Sequence, residues 1–263
     1  MKQLSKITRK LTLLVLSLCF VSLAQSSSIE DSNWNRLLEA NVNQAGWVDY
    51  QSIRSEWNES LKGYIKELGA TDIDDLTTNS ARKAFWINAY NAVTIQTLID
   101  EGLPEEVPHA RFFGKNIFKQ ENYRIAGKVR SLDEIEHEIL RKRYSDPRIH
   151  AALVCGASSC PRLRPEAYTA EKLNEQLDEE VRIWLRKGLD KKGNRKNYLD
   201  RDEALFHASE IFKWFNEDFK GGGKAGVLKF IAQYLPEEDR NFIKKHEVDI
   251  EYLDYDWSLN NRE

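Results

Sequence analysis

Apolar positions along this chain recur mostly at the spacing of a helix. From Tyr50 they run Tyr50, Ile53, Trp57, Leu61, Tyr64, Ile65 and Leu68, a single helical stripe. A second helix is expected to begin after Asn79 or Ser80, either a suitable N-cap, and to continue to Gly102. Its sequence, ARKAFWINAYNAVTIQTLIDEG, is apolar on more than one face, which marks a central buried helix. Between Ile117 and Val129 the pattern shortens to that of a hairpin turning at Ala126-Gly127. Ser131 and Glu134 form a capping box ahead of a helix carrying Glu136 and His137. Asp146-Pro147 ends that helix, and the next run, RIHAALVCG, has the length and apolar density of a buried strand over 148–154. A Ser- and Pro-rich loop spans Gly156 to Pro165, followed after Thr169 by a helix with Leu173, Leu177, Val181, Trp184 and Leu185 at helical spacing. Lys191 to Lys196 reads as an exposed basic turn. Ser209 is placed to cap a helix holding Trp214 and Phe219, closed by Gly221-Gly222-Gly223, and Val227 to Leu235 marks one more helix before Pro236. Alternating Val248, Ile250 and Tyr252 predict a final strand. Helices outnumber scattered strands, so the expected class is α+β: a mostly helical single domain, residues 25–263, around a small antiparallel sheet.

The first residues change the cellular picture. Lys2, Lys6, Arg9 and Lys10 precede an apolar run from Leu11 to Ala24, too short to span a bilayer comfortably. Ser22 and Ala24 suit a signal-peptidase site, so residues 1–24 are expected to be a cleaved leader and the protein to be secreted or periplasmic, with no membrane span afterwards. Without the leader, 35 Lys and Arg face 42 Asp and Glu, a net charge of about −7, which argues against nucleic acid as a partner. A small molecule or a peptide is the expected substrate. Loss of Cys19 with the leader leaves Cys155 and Cys160, and an even count in an oxidising compartment favours a disulfide.

Those two cysteines and His150 share one segment, His150-Ala-Ala-Leu-Val-Cys155-Gly-Ala-Ser-Ser-Cys160-Pro161. A histidine that lowers the cost of forming a thiolate is the basis of thiol acyl transfer. On an extended segment His150 and Cys155 point to opposite faces, so His150 would have to meet Cys160, or His137 beside Glu136 would serve as base. The plainer alternative is a hydrogen-bonded core histidine and a structural disulfide. No Cys-x-x-Cys or His-x-x-x-His pair supports a metal site, no phosphate loop or nucleophile elbow is present, and no cofactor is called for. Asn88 and Asn91 sit three apart on the buried helix beside Trp86 and Tyr90. Their amides either tie the helix to the strand or line a pocket and orient a substrate. The first alternative predicts one polar cluster of Asn88, Asn91 and His150.

Four motifs in order, Phe85-Trp-Ile-Asn-Ala-Tyr-Asn91, Ser131-Leu-Asp-Glu-Ile-Glu-His137, the His150–Pro161 segment and Tyr255-Asp-Trp-Ser-Leu-Asn260, resemble the family called domain of unknown function 547. The resemblance runs from about Trp34 to Asn260. It implies a widespread domain, in bacteria often exported, that brings no established activity with it. Asn88, Asn91, Glu136, His137, His150, Cys155, Cys160 and Pro161 match its motif positions. A fainter likeness links HAALVCG to the histidine-bearing strand of papain-like and transglutaminase-like enzymes, although FWINAYNA lacks the cysteine those enzymes carry on the earlier helix. Three readings follow: a Cys-dependent hydrolase or acyl transferase, a thiol–disulfide redox partner, or a binding module with a structural Cys155–Cys160 disulfide.

Overall fold

The computed structural model describes residues 33–108 and 116–262. The expected leader lies outside the described residues. Helix α1 (Asn33–Asn41) buries Trp34, Leu37 and Leu38. A continuous helical run follows through Tyr50–Ser52, a widened π-type stretch Ile53–Trp57, and α2 (Asn58–Ala70). The stripe read from Tyr50 to Leu68 is its inner face, and Tyr64 stacks on Trp34 with ring centroids 5.4 Å apart. Helix α3 (Asn79–Asp100) begins one or two residues earlier than expected and stops two short of Gly102; Thr78 is its cap, its hydroxyl accepting from the Ala81 N–H at 3.0 Å. Every residue from Ala84 to Ile99 is buried, so α3 is the central helix its all-round apolar pattern implies.

Strands β1 (Tyr123–Ile125) and β2 (Lys128–Arg130) form the expected antiparallel hairpin. Its two turn residues, Ala126 and Gly127, both have positive φ, 48° and 75°, the geometry that matches the twist of a two-residue hairpin. The π-type helix α4 (Glu134–Arg141) starts where the capping box predicts, with the Ser131 hydroxyl accepting from the Glu134 N–H at 3.1 Å.

The segment expected as a strand over 148–154 is not one. Pro147–Ala151 forms a 3₁₀ helix, capped by Asp146, whose carboxylate accepts from the Arg148 N–H at 3.2 Å. Proline at the first helical position fixes the φ a helix start requires, and this local preference overrides the apolar run. That run reflects burial on every side rather than a pleat. Asn91 supplies the bonds a neighbouring strand would have made: its amide donates to Ala152 O and accepts from Val154 N–H, both at 3.0 Å. With the strand goes the likeness to a papain-type histidine strand.

The second half holds a mixed sheet rather than a purely antiparallel one. β3 (Tyr198–Asp200) pairs antiparallel with β4 (Leu205–Ser209), which pairs parallel with β5 (Asp249–Leu253). Helix α5 (Leu173–Arg186) joins two apolar clusters: Leu173 and Leu177 pack into the core around α3, whereas Val181, Trp184 and Leu185 pack with the sheet and α6 (Gly223–Tyr234). Ser209 does accept from the Ile211 N–H at 3.3 Å, but the helix it caps stops at Trp214 and resumes only as a 3₁₀ turn, Asn216–Asp218. Helix α7 (Glu237–Lys245) precedes β5. The architecture is mostly helical α+β. Among the described residues, no helix is long and apolar enough to cross a membrane.

Candidate functional site

The chain leaves the 3₁₀ helix extended, then reverses at Gly156 with φ 86°. A side chain there would strain the backbone and place its Cβ 2.5 Å from Leu98 Cδ1. The loop is held by a segment more than ninety residues away. Ser158 N–H donates to Ser258 O at 2.7 Å, Ser159 N–H to Asp256 O at 3.1 Å, and Asn260 N–H to Gly156 O at 2.8 Å. The hydroxyls of Ser158 and Ser159 accept from the Lys191 and Asp256 N–H groups. The backbone N–H groups of Ser158 and Ser159 are committed to the scaffold, so they are not available to a substrate.

What the loop presents is sulfur. Cys155 is half-buried and Cys160 buried, both are thiols, and their Sγ atoms stand 2.9 Å apart, close but not joined in the expected disulfide. The Cys155 N–H donates to Cys160 Sγ, also at 2.9 Å, and the Tyr255 hydroxyl lies 3.3 Å from Cys155 Sγ. Burial alone would push the Cys155 thiol up. Hydrogen bonds from Cys160, from Tyr255 and from the Ala157 N–H outweigh it and bring Cys155 below its ordinary pKa. Cys160 is pushed well up, by burial first and then by the neighbouring Cys155. Burial and the two sulfurs likewise raise Tyr255, which therefore stays a hydroxyl donor. The pair is unequal: one thiol biased towards thiolate and reachable, the other protonated and enclosed.

Both cysteines border a cleft of about 300 Å³ whose lining also includes Tyr90, Glu136, His137 and His150. Much of the remaining lining is aromatic. Trp214, Tyr255 and Trp257 form a cluster with centroids 4.7–5.8 Å apart, and Phe215 stacks on His150 at 4.3 Å. Neither histidine bonds to sulfur. His150 Nε2 lies 2.7 Å from Asp218 Oδ2, and Arg141 grips the same carboxylate with two nitrogens at 2.6 and 2.9 Å. Burial would raise the Asp218 pKa, but His150 and Arg141 hold it well below the usual carboxylate range, so it remains the ionised anchor of the imidazole. His137 accepts from Arg141 through Nδ1 at 2.7 Å. Glu136 accepts from the Tyr90 hydroxyl at 3.0 Å.

Six residues singled out from sequence therefore share one cleft: Tyr90, Glu136, His137, His150, Cys155 and Cys160. Three do not border it. Asn91 braces the backbone at Ala152 and Val154. Asn88 does the same further away, donating to Tyr168 O at 2.8 Å and accepting from the Tyr168 N–H at 3.0 Å. Trp86 is buried with Arg130 over its ring. The expected cluster of His150 with both asparagines does not form, because Asp218 has taken the imidazole.

A protein-family model matches residues 73–185, that of the family described as "Protein of unknown function, DUF547". Residues 73–185 are similar to this family. No curated protein and no solved structure matches the chain. The matched span contains α3, α4 and both cysteines, so it supplies the sulfur side of the cleft. Trp214, Phe215, Asp218, Tyr255 and Trp257 lie beyond the matched span and complete the wall and the imidazole anchor. Sequence reasoning missed Asp218 and Phe215 altogether. It quoted Tyr255 and Trp257 only within a terminal motif, without a role.

Proposed function

We propose that this is an exported thiol–disulfide exchange protein in which Cys155 attacks and Cys160 resolves. One observation carries the reading: two thiols 2.9 Å apart, the one biased towards thiolate opening on the cleft and the other buried behind it. The Cys155 thiolate attacks a sulfur of a small-molecule or peptide disulfide, forming a mixed disulfide and releasing one thiolate, which takes up a proton. Cys160 then gives up its proton and attacks Cys155 Sγ, expelling the second thiolate. The protein dithiol is oxidised to a disulfide and the substrate reduced to two thiols. The aromatic wall offers an apolar seat for the group attached to the attacked sulfur. A Cys-dependent hydrolase or acyl transferase is less well supported, because it needs a proton acceptor at the sulfur and neither imidazole makes a hydrogen bond to one. Export rests on the basic, apolar and small-residue order of residues 1–24.

The test uses the reduced protein and cystine, followed by mass spectrometry. Wild type is expected to lose two hydrogens and release two cysteines. Cys160→Ser should stop at a cysteine adduct on Cys155, and Cys155→Ser should not react at a comparable rate. An adduct that forms on Cys160, or a Cys155 no faster than a cysteine in the unfolded chain, would sink the reading.

A further inference from the structure

A larger cleft, of about 830 Å³, lies against the same loop and includes Trp47, Trp184, Lys187, Asp190 and Lys196 in its lining. Sequence reading put Lys196 on an exposed turn, yet it is only 8 % exposed. Its ammonium donates to the carbonyl of Cys160 and sits 5.6 Å from the centre of the Trp47 ring. An ammonium has three donors and here one acceptor, and burial pulls its pKa down to about 8. The groups of like and opposite charge around it are mostly spoken for. Glu179 binds Arg164 at 2.6 Å, and the Asp190 carboxylate, which acts on Lys196 by its charge without pairing with it, accepts from the N–H groups of Lys192 and Asn194 at 2.9 and 2.7 Å. Arg162 is held by Glu180, and Arg262 by Asp49. No carboxylate pairs with Lys187 or Lys196 among the described residues, and the indole N–H of Trp184 is buried without an acceptor. A buried cation with two unused donors on the lining of a roomy cleft is a costly feature unless an anion joins it.

We propose that this cleft binds a small molecule bearing an oxyanion, carboxylate or phosphate, with the charged group on Lys196 and the body of the ligand along Trp47. The site is separate from the thiol cleft and does not depend on the exchange chemistry. Lys187 extends the positive rim, and Lys196 joins the two places through the Cys160 carbonyl.

Citrate and inorganic phosphate are the probes, titrated calorimetrically into the full chain against sodium chloride of equal ionic strength. At least one of the two is expected to bind saturably where chloride does not. Lys196→Met should weaken that binding by about tenfold or more, the loss expected for a charge-assisted hydrogen bond. Lys187→Met should weaken it less. Should Lys196→Met fail to fold, Trp47 decides: the bound anion must change wild-type tryptophan fluorescence, and Trp47→Phe must remove that change. Absence of saturable binding by both anions, binding unaltered in folded Lys196→Met, or a fluorescence change undiminished in Trp47→Phe overturns the proposal.

Discussion

The thiol pair takes its character from residues a sequence pattern cannot associate with it. Cys155, Cys160 and His150 stand in one short segment and were legible as candidates together. The hydroxyl that helps hold Cys155 below its ordinary pKa belongs to Tyr255, a hundred residues on, and the carboxylate on His150 is Asp218, sixty-eight residues on. No periodicity relates such positions, and in place of the expected meeting of His150 with Cys160 the fold makes two separate contacts. Tyr255→Phe isolates one of them. Loss of the hydroxyl should raise the Cys155 pKa, because the thiolate loses a donor while burial still opposes it. The pH at which alkylation by iodoacetamide reaches half its maximal rate should rise by about one unit, the size of one modest hydrogen bond. An unchanged profile would show that Cys160 and the Ala157 N–H suffice.

At the scale of elements, periodic helices were easy to read and compensated breaks were not. The stripe from Tyr50 and the all-round apolar α3 each specify one buried surface. β3 and β4 are short and lack a clear alternation, so the sequence pattern predicts no strand there. The 3₁₀ helix Pro147–Ala151 shows why an apolar run alone misleads: its form is set by Asp146 and Pro147 at one end and by Asn91 at the other. Asp146 also binds Lys83 at 2.7 Å and Arg148 at 2.8 Å. Burial would raise its pKa, but these partners lower it from 3.8 to about 2. A depressed carboxylate contributes stability above its unfolded pKa and loses it as pH falls through the folded one. The contribution, about 2 kcal/mol, should therefore be complete above pH ~4 and gone near pH ~2. Asp146→Asn keeps a cap but not the charge. Urea unfolding should find it less stable than wild type at neutral pH and equal at pH ~2. A gap that persists at pH ~2 would assign the effect to packing instead.

Across the whole molecule, the stretch from Tyr255 to Asn260 binds the early and middle parts of the chain together. Asn260 accepts from the Tyr50 hydroxyl at 2.8 Å, Val48 N–H donates to Asn260 O at 3.1 Å, and Leu259 is buried beside the cysteine loop. Leu259→Ala should cost about 2–4 kcal/mol and lower the unfolding midpoint by roughly 10 °C in calorimetry. It should also speed proteolysis of the 156–160 loop, and a midpoint within a degree or two of wild type would deny the segment this role. The order of biosynthesis gives the same contact another meaning. A ribosome delivers Cys155 a hundred residues before Tyr255, and Cys160 soon after Cys155. Through that interval the nascent chain carries two thiols that have not yet acquired their tuned acidity. The set of donors around Cys155 is thus complete only once Tyr255, the last of them to be translated, has been made.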